Sequence, residues 1–442
     1  MSRELCCGAA SRVITPPEDL LPDLYGLMNT RFGTVIDDLH VRVIALRNHS
    51  ASFLIIAYEL DKAPFPQETI SAASARWNIP PENIIIASIH THTAPVIGNR
   101  PNEPWNDKSG KPEEVRIASS RYEHLVSERT SACIEEAVSC LRPAVLSFAE
   151  GLGSLGTERN QMYECRQPDG RIIRQYDIGY LPDHQIDRRL NVIRFSQEDG
   201  SPIAILINYP LHNIAMFTNH CGTGRTAGIS SDIAGSVCRT LEKEYPGSVA
   251  AWTSGAAGDI NPYLSSQVMY PDPGTGAPRT IQLEGSEAPL TILALLAGRH
   301  CSEVKQVLAD AHESHDVRLG GCVEWAQLQN GDGQPLRIRL HLSRIGELMI
   351  LGIGGELYSS YALRLKEIYG DHLIVMNHDA SMIDDCSYLI DEETQQKAKT
   401  ADQVCIPGYD SVNYQAADLL LELRIHLDRM MKQMEEKDNG ID

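Results

Sequence analysis

The sequence has little positive charge. Its 442 residues include 39 Lys and Arg against 59 Asp and Glu, which gives a formal net charge of −20. Proteins that bind nucleic acids or anionic membranes need clustered positive charge to displace counterions or to meet acidic headgroups. We therefore expect neither nucleic acid nor a membrane as a partner. The composition, 42% hydrophobic and 22% charged, is that of an ordinary soluble globular protein.

Long apolar runs and patterned cysteines are also missing. The longest runs, such as residues 53–57 and 348–353, are far shorter than the ~20 residues that cross a bilayer. Residues 1–11 lack the apolar run and the small-residue cleavage site of a secretory signal. The eleven cysteines show no disulfide-framework spacing and no Cys-x-x-Cys pair. These absences predict a cytoplasmic protein with free thiols.

The chain has no internal repeat, no low-complexity tract and no linker long enough to separate independent domains. We therefore predict a single domain over residues 1–442. Strand-like and helix-like patterns alternate, which favours a mixed α/β fold with a large layered sheet and flanking helices. Predicted strands lie at 40–47, 52–58, 83–88, 145–148, 191–195, 203–208, 249–253, 336–342, 347–353 and 372–376. Predicted helices lie at 66–77, 117–140, 232–245, 289–311, 356–369 and about 413–434.

Two histidines follow the predicted strand 83–88. His90 and His92 are two residues apart, and residues i and i+2 of an extended chain share one face. Both imidazoles would then point into a cleft beyond the end of a sheet strand, where open α/β sheets place their ligands. A metal site and a hydrogen-bonded pair of structural histidines both fit this motif.

Three further motifs follow apolar strands. His212, taken alone, fits a structural loop histidine. Ser231 or Asp232 suits the N-cap of the helix that follows, and we favour capping, with a supporting role behind the site as the alternative. Asp259 and Asn261 lie in a segment of small residues that is typical of a tight Asx-type turn.

Glu356 follows a fourth apolar strand and two glycines. We expect it at the start of a helix, where the helix dipole stabilises a carboxylate. The combination of motifs is more specific than any one of them. Three apolar strands end in His, His and Glu, and a His₂Glu set with an open fourth position is a common catalytic zinc arrangement.

Taken in order, these motifs resemble the neutral/alkaline (non-lysosomal) ceramidase family, specifically its N-terminal catalytic domain. The co-linear similarity covers about residues 5 to 425. Because ceramidases continue beyond this point into an immunoglobulin-like domain, the resemblance implies the catalytic domain alone, without that C-terminal domain. The matching stretches are Thr15-Pro16-Pro17, His90-Thr91-His92-Thr93-Ala94-Pro95, Glu158-Arg159-Asn160, Tyr209-Pro210-Leu211-His212, Ser230-Ser231-Asp232, Gly258-Asp259-Ile260-Asn261-Pro262, Gly354-Gly355-Glu356 and Asp384-Asp385-Cys386-Ser387-Tyr388.

The resemblance implies a zinc ion, and it implies which residues hold it. By the family pattern, the ion is bound by His90, His212 and Glu356. His92 and Arg159 then line the pocket as groups that orient the substrate or handle protons.

The sequence departs from the family pattern at two positions of the site. The family's catalytic serine falls on Asn261, so no serine hydroxyl is available there. The family's tyrosine zinc ligand falls on Asp385, while Tyr388 keeps the second tyrosine. A small insertion shifts the register here, which leaves Tyr388, Asp379 and His378 as alternatives to Asp385 for the remaining ligand.

These features together predict a zinc-dependent hydrolase of the ceramidase superfamily. It would cleave an amide, or an ester, of a small soluble substrate by metal-activated water. His92 would act as general base or support a metal ligand, Arg159 and Asn261 would bind the oxyanion or a substrate carboxylate, and Tyr388 would protonate the leaving group. We expect loops 96–115 and 264–287 to set the specificity.

Two alternative functions fit the same residues. One is a non-hydrolytic metal-dependent enzyme, such as a lyase or isomerase acting on a polar, sugar-like substrate, and the loss of the serine is its only support. The other is a non-catalytic protein that binds a metal. The amphipathic pattern of the C-terminal helix fits docking on the sheet and equally burial in a homo-oligomer interface.

Overall fold

The computed structural model describes residues 4–98, 107–222, 226–329, 335–380, 388–409, 416–438 and 440. The helices of this part are α1 (Pro66–Trp77), α2 (Glu113–Ser139), α3 (Asp232–Glu244), α4 (Glu287–Ala309), α5 (Ser359–Tyr369), α6 (Glu392–Lys399) and α7 (Ala416–Asp438). The strands are β1 (Leu5–Val13), β2 (Phe32–Val35), β3 (His40–Arg47), β4 (Ser52–Tyr58), β5 (Ile84–Ser88), β6 (Arg142–Leu152), β7 (Gly156–Arg166), β8 (Ile172–Leu181), β9 (Arg189–Ser196), β10 (Pro202–Tyr209), β11 (Ala227–Ile229), β12 (Val249–Ser254), β13 (Ile260–Pro262), β14 (Gln267–Pro271), β15 (Pro278–Gln282), β16 (His312–Ser314), β17 (Leu319–Gln329), β18 (Pro335–Ile345), β19 (Leu348–Ile353), β20 (Glu356–Leu357), β21 (Leu373–Met376), β22 (Tyr388–Leu389) and β23 (Gln403–Val404).

A nine-stranded mixed sheet forms the centre of the molecule. Its order is β12-β10-β9-β6-β1-β3-β4-β5, with β16 paired to β6. The pairs β10–β12 and β4–β5 are parallel, and the remaining pairs are antiparallel. A second sheet has the order β17-β18-β19-β21, and a third has the order β13-β7-β8-β23. The predicted fold class, a mixed α/β fold with a large sheet and flanking helices, is confirmed.

The central sheet is covered on both faces, because alternate residues of each strand point to opposite sides. On one side, Val41 and Val43 share a core cluster with residues of α1 and α2, while α3 and α4 cover the neighbouring strands. On the other side, Ile44 and Ile55 share a cluster with Ile350 of the second sheet. Helices α5 and α7 cover the outer face of that second sheet. The four layers are therefore helix, sheet, sheet and helix.

This layering explains which strands the sequence revealed. Strands β3, β4, β5 and β10 are buried on both faces, so they read as continuous β-branched and aliphatic runs. Strands β1, β7, β8 and β17 were not predicted, because their small and polar residues carry no such run. The hairpin β14–β15 lies within the stretch 264–287 that was predicted to be a loop.

The ends of several strands meet at one end of the layers. The segments that follow β5, β10, β12, β19 and β21 are joined to one another by backbone hydrogen bonds, so both large sheets contribute to this region. The histidine motifs, the Asp259–Asn261 motif and the Glu356 motif lie on these segments, and Arg159 lies on β7. Among the helices of the described ranges, none combines the length and the apolar character that crossing a bilayer requires.

Candidate metal centre

The two histidines of the first motif lie in a turn beyond β5. His90 adopts a left-handed backbone conformation, with φ of 58°, which is uncommon for a residue with a side chain. The extended chain that we expected is therefore wrong for this segment, since β5 ends at Ser88. The turn nevertheless brings the Nε2 atoms of His90 and His92 to 3.1 Å from each other. The rings of His92 and Phe217 are perpendicular, with centroids 5.1 Å apart.

His212 reaches the same place from β10. Its ring is buried, and its Nδ1 lies 3.0 Å from the carbonyl oxygen of Ile260. The loop that carries it is held by Asp232, whose carboxylate accepts hydrogen bonds from the backbone N–H groups of Ala215 and Met216. The favoured interpretation, capping, therefore needs correction, and the supporting role that we gave as the alternative fits Asp232 better. Ser231 makes no side-chain cap bond to α3, and Asp232 stabilises the histidine loop as well as the first turn of the helix.

Glu356 completes the cluster. One carboxylate oxygen, Oε2, lies 3.4 Å from His90 Nε2 and 3.3 Å from His212 Nε2. The residue lies in the two-residue strand β20, which pairs with β22 so that Glu356 faces Tyr388. The expected helix start at Glu356 is therefore wrong, because α5 begins three residues later, at Ser359.

The hydrogen bonds of the two histidines indicate which ring nitrogens are protonated. His90 Nδ1 lies 2.9 Å from the backbone carbonyl of Asp61, and His212 Nδ1 faces the carbonyl of Ile260. A carbonyl only accepts, so each Nδ1 carries a proton, and Nε2 is the ring nitrogen left to bind a metal. Ligand atoms of His90, His92 and His212 all lie within 4.8 Å of one another. Metal-binding histidines commonly donate their other N–H to a backbone carbonyl in this way.

The charges at the cluster suit a cation. Burial opposes ionisation of Glu356, but its histidine neighbours hold the pKa of this carboxyl well below its ordinary value. Burial and the adjacent Arg159 lower the pKa of His212 to about 4. Burial and the neighbouring His90 also lower the pKa of His92. The donor set of imidazole nitrogens and a carboxylate oxygen is the kind that Zn²⁺ binds, so these residues fit the metal that the motifs imply.

Arg159, Asn261 and Tyr388 line one side of the cluster. Arg159 donates from Nη1 to Asn261 Oδ1 at 3.2 Å and from Nη2 to the carbonyl of Gly258 at 2.7 Å. The same Nη1 lies 3.5 Å from His212 Nε2. The Tyr388 hydroxyl hydrogen-bonds both Arg159 and Glu356, and burial raises its pKa. Strand pairing positions Arg159 and Asn261. Their chain neighbours Glu158 and Ile260 are paired across β7 and β13.

The structure therefore brings together seven of the eight site residues named from the sequence. The eighth, Asp385, lies outside the described residues. The alternative ligand Asp379 faces away from the cluster, since Arg339, His341 and the N–H of Ile86 occupy its carboxylate. Sequence reasoning missed two groups that shape the site. These are the carbonyl of Asp61, which no sequence pattern signals, and Phe217, whose single aromatic ring carries no motif.

Comparison with known proteins gives a fold but no family. No family model matches the chain, and no curated protein matches it. Among solved structures, the chain is similar to the neutral ceramidase of Pseudomonas aeruginosa, with a TM-score of 0.69 at 15% identity over 99% of this chain and 75% of that one. It is also similar to a ceramidase complexed with C2, with a TM-score of 0.70 at 15% identity over 98% and 76%. The chain thus has the neutral ceramidase fold.

Proposed function

We propose that this chain, built on the neutral ceramidase fold, is a zinc-dependent hydrolase that cleaves an amide bond of a small soluble substrate. One observation carries the proposal. His90, His92, His212 and Glu356 converge with their ligand atoms together, and two of the histidines have their outer nitrogens tied to backbone carbonyls. In this proposal His90, His212 and Glu356 hold the ion, and the remaining ligand is Asp385 or Tyr388.

The bound zinc would supply a water of lowered pKa and would polarise the scissile carbonyl. The protein groups around it then have defined tasks. His92, which burial keeps neutral, would accept a proton from the attacking water through a ring nitrogen. Arg159 fixes the Asn261 amide by donating to its Oδ1, which leaves the Asn261 NH₂ group to donate to the carbonyl oxygen of the substrate. Where Asp385 is the remaining ligand, Tyr388 keeps its proton at neutral pH, because burial raises its pKa, and it can donate that proton to the leaving nitrogen.

The choice of substrate rests on charge and on Asn261. A chain with a net charge of −20 is poorly suited to approach an anionic bilayer. Asn261 places an amide where a serine mechanism would need a hydroxyl, so attack by water is the route that the present residues support. Hydrolysis of a panel of soluble N-acyl compounds, measured beside ceramide in detergent, tests this choice. Turnover of ceramide alone would contradict it.

Metal content tests the site itself. The protein is purified without chelator, and its zinc is measured by elemental analysis. We expect near-stoichiometric zinc in the wild type and loss of most of it in His90→Ala and Glu356→Gln. His315→Ala, whose side chain is 91% exposed, is the matched control and should keep its zinc. If both cluster variants retain the metal, the assignment is wrong.

His92 needs a separate experiment, because its Nε2 is near enough to His90 to serve as a fourth ligand. If His92 is the proton acceptor, His92→Ala should keep its zinc and its kcat should fall at least 10²-fold, within the range found when a general base is removed. If His92 is instead a metal ligand, the same variant should lose both its zinc and its activity.

A further inference from the structure

The segment 377–380, which we call the strap, crosses the ends of the strands that build the metal centre. It follows β21 of the second sheet and reaches the central sheet at β5. Four consecutive backbone N–H groups of the strap donate to carbonyls of other segments: Asn377 to Ser254 at 2.9 Å, His378 to Gly355 at 3.2 Å, Asp379 to Ile353 at 3.1 Å and Ala380 to Ile86 at 2.6 Å. The strap therefore joins the segment before Glu356 to the strand before His90.

His378 stacks on His90. The two ring centroids are 4.1 Å apart, and the ring planes differ by only 16°. His378 is 2% exposed, and within the described ranges its ring makes no hydrogen bond. Both residues adopt the left-handed conformation, with φ of 61° and 58°. Such backbone strain persists only where the surrounding structure enforces it.

The stacked geometry decides between a ligand and a support. The lone pair of an imidazole nitrogen lies in the plane of its ring, so an ion bound to His90 Nε2 lies close to the His90 plane. The His378 ring is stacked nearly parallel to the His90 ring, with centroids 4.1 Å apart, so its own in-plane lone pairs point past an ion held in the His90 plane. His378 instead limits the rotation and tilt of the His90 ring.

Asp379 fixes the strap in place. Its Oδ2 accepts from Arg339 Nη1 at 2.6 Å and lies 2.9 Å from His341 Nδ1, and its Oδ1 accepts from the N–H of Ile86 at 3.2 Å. All these side chains are buried. The carboxylate also lies against Gly352, where an added Cβ would come within 2.4 Å of Oδ2. One carboxylate thus links the second sheet to β5, two residues before its end.

We infer that the strap is the positioning element of the metal centre: His378 is a plate that holds the His90 ring, and Asp379 holds the plate, while neither residue binds the metal. The inference rests on the proposed function, because it assumes that His90 is a ligand. Removal of a partner that orients a ligand commonly weakens metal binding 10- to 100-fold.

The test measures the zinc dissociation constant by competition with a chromogenic chelator. His378→Phe preserves a flat ring but has no ligand atom, and we expect its zinc affinity within threefold of the wild type. His378→Ala removes the plate, and we expect a loss of 10-fold or more. Asp379→Asn keeps only one acceptor oxygen, so it cannot serve Arg339 and His341 at Oδ2 and the N–H of Ile86 at Oδ1 together, and we expect a similar loss. An equal loss in His378→Phe and His378→Ala would overturn the inference in favour of a ligand, and no loss in His378→Ala would overturn it outright.

Cobalt provides a readout that loss of stability does not move. The visible absorption of the Co²⁺-loaded protein reports the ligand set and its geometry. We expect His378→Phe to reproduce the wild-type spectrum and His378→Ala to shift it. A changed spectrum in His378→Phe would show that a ligand was lost and would refute the plate. His90→Ala separates the two proposals. Wild-type zinc affinity in His90→Ala would contradict the proposed metal site. Loss of zinc from His90→Ala, together with wild-type zinc affinity in both His378 variants, would contradict the role of the strap alone.

Discussion

Glu158 and Asp259 form a buried pair of carboxyl groups next to the residues that line the metal centre. Burial, and then the charge of Asp259, raise the pKa of Glu158 from 4.5 to about 9, and the two groups share a hydrogen bond. Glu158 also accepts from the N–H of Asn160 at 2.7 Å. At neutral pH, Glu158 therefore stays protonated in the folded protein and is ionised in the unfolded chain.

This difference makes stability depend on pH with a definite sign. Between pH 4.5 and pH 9 the folded state binds one more proton at Glu158 than the unfolded state does. The free energy of unfolding then falls as pH rises, by about 1.4 kcal/mol per pH unit. Glu158→Gln keeps the acceptor for Asn160 and a donor for Asp259, but it cannot titrate. From pH 6 to pH 8, the wild type should lose about 2–3 kcal/mol relative to this variant.

Guanidinium unfolding at pH 6, 7 and 8, followed by tryptophan fluorescence in the presence of chelator, measures the difference. Chelator removes any contribution of metal binding to the pH dependence. Glu164→Gln, an exposed glutamate on the same strand, is the matched control and should follow the wild type at each pH. Parallel pH dependence in the wild type and in Glu158→Gln would show that the carboxyl pair is not protonated as we argue.

Three further results are expected. Asp232→Ala leaves the N–H groups of Ala215 and Met216 without their acceptor, so unfolding should require about 1–3 kcal/mol less, measured by urea denaturation; an unchanged midpoint would contradict the role of this carboxylate. Gly352→Ala would force its methyl group against Asp379 and should destabilise the protein by about 1–3 kcal/mol by the same measurement, whereas Gly298→Ala, at an open helix position, should not. Removal of the metal by a chelator should lower the melting temperature. Zinc at 100 times its dissociation constant should then raise the free energy of unfolding by about 2.7 kcal/mol. Equal recovery with magnesium alone would argue against a zinc site.

The strands that the sequence revealed are those with neighbours on both faces. Residues 40–47 and 52–58 were predicted with the bounds that the structure has, because full burial demands unbroken apolar runs. Strands β7 and β8 escaped prediction, although β7 carries Arg159. Their residues alternate weakly between buried and exposed positions, and pairing with each other and with β13 and β23 specifies them more than any local preference does.

The candidate ligand residues could be named from the sequence. Zinc ligands in proteins are mostly His, Cys, Glu or Asp side chains, and layered folds present ligands at strand ends, so residue type, position and the family resemblance together picked out His90, His212 and Glu356 as candidates. Their convergence could not be predicted in the same way. His90 meets His92 through a left-handed turn rather than on one face of a strand, and the helix after Glu356 begins three residues later than its dipole argument required.

From the sequence alone came the class of fold, the kind of donor side chains at the strand ends and the excess of negative charge. These depend on composition and on local periodicity, which the chain carries at every residue. The folded chain was needed to show which carbonyls orient the histidines, and that Asp379 binds Arg339 and His341 while His378 stacks on His90. Those contacts join residues up to about 290 positions apart, such as Ile86 and Asp379, and no local preference of the chain encodes a distance in space.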